Sequence, residues 1–228
     1  MRLKKLALTF IICVVYCCLA NAQEEPYKNR TYLGVKGGYN YYSTAQFFHS
    51  LQTTNIAEGF KQGLNFGVVG INYLEKNIGF QVEVNYTQKG WVQLFDSPEP
   101  RFNTQLDYIE VPLYLNIYIG KKKTRLYINM GCYFEYLLNV SMSELPSDTQ
   151  DYDFYPYDTS RDRKMGYGLI GGGGIYRDFS FGTIILQSTI AFGISNVLNP
   201  VTLDSGVPNI SNLITSTVSL GYMIKLGE

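Results

Sequence analysis

The stretch Ile78 to Trp91, IGFQVEVNYTQKGW, alternates strictly between two kinds of side chain. Ile78, Phe80, Val82, Val84 and Tyr86 fall on one face of an extended chain; Gly79, Gln81, Glu83, Asn85, Thr87 and Lys89 fall on the other. A period of two excludes a helix. The run is longer than the roughly 5–6 residues of an ordinary soluble strand and suits a tilted strand crossing a bilayer.

The pattern recurs along the chain. Tyr32 to Asn40 sets Leu33, Val35, Gly37 and Tyr39 against Gly34, Lys36, Gly38 and Asn40, and Gly63 to Leu74 reads as a glycine-punctuated second strand. Around Tyr108 to Ile119, Ile109, Val111, Leu113, Leu115, Ile117 and Ile119 oppose Tyr108, Glu110, Pro112, Tyr114, Asn116 and Tyr118. Pro112 lacks an N–H, so a bulge or a missed ladder bond is expected there. Leu126 to Leu138, Lys164 to Tyr176, Phe179 to Gly193 and Thr215 to Leu226 complete a set of eight strands. Long connections are expected near 41–62, 92–106, 140–163 and 194–212, and short ones near 75–77, 120–124 and 177–178.

That asymmetry predicts an all-β fold, an eight-stranded antiparallel up-and-down transmembrane β-barrel with short periplasmic turns and long external loops. A soluble lipocalin-like barrel would turn its apolar face inward. Here the apolar faces carry large side chains on nearly every strand, and the polar faces are glycine-rich and charge-poor.

The start of the chain has a different character. Arg2, Lys4 and Lys5 precede an apolar run from Leu6 to Leu19, and Ala20-Asn21-Ala22 completes the pattern of a secretory signal cleaved after Ala22. Val15-Tyr16, rather than small residues, precede Cys17, which argues against a lipoprotein signal. Residues 23–30 read as a short periplasmic lead-in and 31–228 as the barrel, with both termini periplasmic. Cleavage removes Cys13, Cys17 and Cys18 and leaves Cys132 alone, so no internal disulfide is expected in the exported chain. It also takes the basic and acidic residues from 19 against 19 to 16 against 19, which favours no nucleic-acid partner. After the signal, no apolar run is long enough for a membrane helix.

Alternation turns Lys36, Glu83, Lys89, Glu110 and Glu135 toward the lumen, a charge network in which Arg125 and Arg177 are further candidate partners near the periplasmic end. Ionised groups in a narrow interior need partners or water. The network serves either an ion path or, more simply, a bore that side chains fill. Paired carboxylates of the glycosidase kind would find no room for a sugar chain. Outside, the acidic aromatic segment Asn139 to Arg163 supplies binding candidates in Asp151, Tyr152, Asp153, Tyr155, Tyr157 and Asp158. Its carboxylates match no EF-hand spacing, and no metal or cofactor is expected. Tyr86 and Trp91 are candidate interface anchors.

Gly171 to Gly174 lacks the lysine–serine/threonine ending of a phosphate loop and reads as a flat patch under a large neighbour such as a lumen tyrosine. His49 stands alone, without the serine or acidic partners that an outer-membrane lipase or protease site needs. Cys132 lies on the lipid face between Met130 and Phe134, and Lys121 to Lys123 form a basic periplasmic turn.

The mature chain also resembles the PorT-like outer-membrane β-barrel proteins of Bacteroidetes-type bacteria. The resemblance rests on LGVKGGYNYY (Leu33 to Tyr42), VEVNYTQKGW (Val82 to Trp91), LDYIEVPLYLNIY (Leu106 to Tyr118), FGISNVLNP (Phe192 to Pro200) and the terminal SLGYMIKL. It implies an eight-stranded outer-membrane barrel, no catalytic motif and, from a namesake member, a link to protein secretion. Sequence and resemblance together lead us to expect a non-enzymatic barrel. It would bind or scaffold an envelope or secretion-complex protein through its external loops, amid outer-membrane lipid and lipopolysaccharide. A narrow pore is the alternative.

Overall fold

The computed structural model describes residues 30–48, 57–94, 101–120, 123–143, 156–199 and 210–226. Eight strands run in chain order: β1 Arg30–Phe48, β2 Ala57–Tyr73, β3 Ile78–Leu94, β4 Arg101–Ile119, β5 Thr124–Met142, β6 Met165–Phe179, β7 Gly182–Gly193 and β8 Ile210–Leu226. Each pairs antiparallel with its sequence neighbours, and β8 pairs with β1 to close the ring. The fold is a closed eight-stranded up-and-down barrel, every strand pairing with a neighbour on each side.

Alternation sorts the two faces. Val35, Phe66, Val84, Ile117, Ile128, Phe134 and Leu220 point outward and stay exposed, while Gln81, Glu83, Asn85, Lys89 and Asn116 are buried inside. A soluble barrel would show the reverse. On β5 the outward apolar row runs from Leu126 to Tyr136, which at a tilt near 40° covers about 25 Å, the height of an outer-membrane apolar band.

The strands are longer than the sequence pattern indicates. The loop expected over 41–62 is largely strand, because β1 reaches Phe48 and β2 begins at Ala57. Register shifts between Asn40 and Ser43 and between Phe60 and Asn65 break the alternation there without ending the pairing. Similarly, β3 runs to Leu94 and β4 starts at Arg101, within the loop expected over 92–106. β5 extends to Met142, and β8 begins at Ile210 rather than Thr215. Arg177 and Asp178, expected to form a turn, lie within β6; the chain reverses at Ser180 and Phe181. Pro112 pairs with Tyr133 on β5, but β3–β4 pairing lapses between Val82↔Leu113 and Asn85↔Glu110 with the register unchanged. The missing donor costs a rung and no bulge forms there; the β4–β5 register instead shifts between Asp107 and Tyr108, where Leu138 of β5 is the extra residue.

The signal segment, the lead-in before Arg30, His49, Lys121, Lys122 and Asp151 to Tyr155 lie outside the described residues.

Candidate functional site: the filled lumen and its two ends

The barrel encloses three stacked layers of side chains. At the short-turn end, Tyr32, Tyr73, Tyr118, Tyr127 and Tyr176 come from five different strands and pack with Val69, Ile71, Ile185 and Met223. The Tyr73 and Tyr118 ring centroids are 4.8 Å apart, and Tyr32 meets Tyr176 edge-on at 5.9 Å. The Arg125 guanidinium lies over this cluster, 4.8 Å from the Tyr176 centroid and 5.3 Å from that of Tyr73. Arg125 therefore belongs to the tyrosine layer and not to the glutamates. Arg177 points outward over the Phe179 ring, 5.1 Å from its centroid, and does not join them either.

The middle layer is polar and charged. Lys36 Nζ donates to Glu83 Oε2 at 2.6 Å, and Glu83 also accepts from Gln81 Nε2 at 2.5 Å and Asn85 Nδ2 at 2.8 Å. Lys36 sits on β1 and Glu83 on β3. The reach across β2 is short because Lys36 pairs with Gly67, where a Cβ would lie 2.5 Å from Asn85 Oδ1. Glu110 and Glu135 face each other directly across β4 and β5. Like charges so placed repel. Lys89 Nζ lies between them, donating to Glu110 Oε2 and, at 2.8 Å, to Glu135 Oε2. The Tyr133 ring, with its centroid 4.7 Å away, covers the same ammonium. All five expected charges thus sit in two adjacent buried clusters. Gln81 and Asn116 connect the first cluster to the tyrosine layer, Asn116 Nδ2 donating to Gln81 Oε1 at 2.6 Å and to the Tyr118 hydroxyl at 3.1 Å, while Gln81 Nε2 donates to Gln187 Oε1 at 3.3 Å. These amides lie at lumen-facing positions that the alternation marks, although only charge draws the eye in the sequence. The void beside Lys36, Lys89, Glu110 and Tyr114 is about 10 Å³, the space of about one water.

The glycine run completes this packing. A Cβ on Gly174 would lie 2.8 Å from the Tyr127 hydroxyl, and one on Gly168 would lie 2.7 Å from a ring carbon of Tyr133. Lumen tyrosines on β5 lie flat against β6 where it has no side chains.

At the long-loop end the filling turns apolar again. Trp91, Leu106, Tyr108, Ala45, Leu137 and Leu213 from the strands meet Tyr157, Val197 and Leu198 from the β5–β6 and β7–β8 connections. Trp91, expected as an interface anchor, is 1% exposed and lies in this plug, its ring edge-on to Phe47. Its odd position on β3 puts it on the Glu83 face of the alternation, which already signals an inward side chain. Tyr86, at an even position, does point outward, with its ring centroid 5.0 Å from that of Phe66.

Tyr157, expected as an external binding residue, is likewise buried. Its hydroxyl donates to the Arg163 carbonyl at 3.0 Å, and burial, with Asp162 and Asp158 nearby, pushes its pKa up to about 12. Asp162 organises the connection. Its carboxylate accepts from Arg161 Nε and Nη2, from the Asp158 N–H at 2.7 Å and from the Asn199 N–H at 2.9 Å, tying the two loops together. These bonds hold the Arg161 guanidinium more firmly protonated than usual. Asp158 is exposed, and bonds from the Ser160 hydroxyl and N–H keep its carboxyl below the usual range.

Among the described residues no group of three or more His, Cys, Asp or Glu is placed to hold a metal ion. Cys132 is a free thiol on the outer face.

Similar solved structures include Ail, the attachment invasion locus protein of Yersinia pestis, at 12% identity and a TM-score of 0.42, covering 85% of this chain and 98% of that one. Neisserial surface protein A shares 12% identity at a TM-score of 0.43, covering 84% and 96%. The N-terminal barrel domain of Pseudomonas aeruginosa OprF shares 10% identity at 0.37, covering 86% and 100%. No curated protein matches the sequence. A model of the outer membrane protein beta-barrel domain matches residues 21–199, most of the chain. The chain belongs to the outer membrane protein beta-barrel domain family.

Proposed function

We propose that the protein is a non-enzymatic outer-membrane barrel that works through its long external connections, binding or scaffolding an envelope or surface partner. The observation that carries this reading is the filled lumen. Two apolar layers cap a charged belt whose ammonium and carboxylate groups bond to one another, leaving room beside them for about one water. Such an interior gives the barrel rigidity and offers solutes little passage. Surface for recognition lies instead on the walls of β8 and β1 to β5 that rise beyond β6 and β7, and on the connection carrying Asp158, Arg161 and Arg163. The acidic aromatic run Asp151, Tyr152, Asp153 and Tyr155 belongs to the same connection, and a secretion assembly is the partner class that the PorT-like resemblance implies.

The test is purification from native outer membranes under mild detergent, with the wild type beside a variant in which residues 151–155 are replaced by glycine and serine. A stoichiometric protein retained by the first and lost from the second supports the reading. Recovery of both as lone barrels, with steady unit conductance in planar bilayers that changes in Glu83→Gln or Glu110→Gln, would establish the narrow pore instead.

A further inference from the structure

The wall of the barrel has a step at its short-turn rim. β7 begins at Gly182, and its pairing with β8 ends at Thr183↔Met223. β8 continues through Ile224, Lys225 and Leu226, paired only with Leu33, Tyr32 and Thr31 of β1. Beneath the β6–β7 hairpin this leaves a notch of about 470 Å³, lined by Asp178, Ser180, Phe181, Thr183, Ile224 and Lys225 among others.

The two sides of the notch differ in chemistry. Phe181 and Ile224, 63% and 49% exposed, continue the outward apolar band, so one side opens onto lipid. Asp178, Thr183 and Lys225 line the side nearer the mouth of the lumen. The hairpin tip is held in place. Gly182 has a φ of +150°, the Tyr222 ring occupies the space where its side chain would be, and the Tyr222 hydroxyl donates to the Phe181 carbonyl at 2.5 Å.

Asp178 Oδ1 accepts from the Thr183 hydroxyl at 2.6 Å. Among the described residues, the ion-pair partner of its Oδ2 is the Arg125 guanidinium at 3.9 Å, and that group lies across three tyrosine rings. Lys225 is exposed, and among the described residues no carboxylate lies within salt-bridge reach of it. The notch therefore offers a carboxylate with acceptor capacity and an unpaired ammonium, beside a lipid-facing wall. A purely anionic headgroup would meet Asp178, and a purely cationic one would meet Lys225.

We infer that this notch binds the zwitterionic headgroup of a phospholipid, with its ammonium on Asp178, its phosphate on Lys225 and its acyl chains along Phe181 and Ile224. The volume suits a headgroup and falls within the range of small-ligand sites.

The experiment uses the full barrel in nanodiscs of equal phosphatidylethanolamine and phosphatidylglycerol, with native mass spectrometry of the lipid retained on release. The wild type should keep phosphatidylethanolamine over phosphatidylglycerol by about tenfold. Asp178→Asn should abolish that preference, and Lys225→Gln should lower retention of both lipids. Lys225 is exposed, so its variant keeps the test decisive if Asp178→Asn fails to fold, as judged by heat-dependent gel mobility. Equal retention of the two lipids by the wild type, or a preference unchanged in both variants, overturns the inference. Binding of free phosphoethanolamine as tightly as the whole lipid would show that the acyl chains add nothing along Phe181 and Ile224 and would overturn the assignment to a membrane lipid.

Discussion

The two ends of the lumen are closed by different means. At the short-turn end, the five tyrosines all stand on strands, so their packing forms as the wall forms. At the long-loop end, the strands supply a floor of Trp91, Leu106, Tyr108 and Leu213, and the lid over it comes from Tyr157, Val197 and Leu198. The two connections meet at the Asp162 carboxylate and at the Arg161 carbonyl, which accepts from Asn199 Nδ2, while Val197 and Leu198 are also bonded to Ser211 of β8. One closure is inseparable from barrel formation. The other can in principle be loosened while the barrel stands.

The largest effect should come from the belt between them. Lys89→Met leaves Glu110 and Glu135 face to face and uncompensated, at a cost of about 3–5 kcal/mol. Urea unfolding in detergent, followed through the single tryptophan, Trp91, should report it as a loss across the whole barrel. A change below about 1 kcal/mol would mean that the belt is not a shared support for the two ends.

Asp162→Ala sharpens the contrast. It removes the acceptor for Arg161, Asp158 and Asn199 and should cost about 1–3 kcal/mol, confined to the loop lid. Acrylamide should then quench Trp91 more readily while barrel mobility on gels is unchanged. Unaltered quenching would place the lid's stability elsewhere.

The smallest effect is one of pH. An unfolded tyrosine ionises near 10, whereas Tyr157 in the lid does so at about 12. The unfolded form therefore loses its proton first, and lid stability should fall as pH rises from about 10 to about 12, being fully present below that window. Trp91 quenching should rise over the same interval, and Tyr157→Phe should abolish the rise. A transition identical in the variant would assign it to other tyrosines.

Much of this molecule was legible in its residues. Alternation at Ile78 to Lys89 and at Tyr108 to Ile119 gives the strands, their number and the faces they turn, and places Lys36, Glu83, Lys89, Glu110 and Glu135 together inside. It fails where register slips, as at Asn40–Ser43, because a bulge looks in sequence like the start of a loop. Trp91 and Tyr157 were misplaced for a related reason. An aromatic residue at the loop end of a barrel suits a lipid interface, an external binding surface or a plug, and the choice depends on which way the side chain points and what lies across the bore. The notch at Asp178 and Lys225 arises from the relative lengths of β7 and β8, a quantity that no local pattern contains.

That inequality of length has a mechanical consequence. The junction of the chain's two ends, β1 with β8, is zipped from Thr31↔Leu226 to Phe48↔Ile210, whereas β6 and β7 meet only from Gly168↔Gly193 to Phe179↔Gly182, across the glycine-rich wall. β7 meets β8 over a span shorter still, from Thr183↔Met223 to Phe192↔Ile214, so under sideways strain the tube should part along a flank of β7 before it parts where its ends meet. The fault line of this cylinder lies away from its weld.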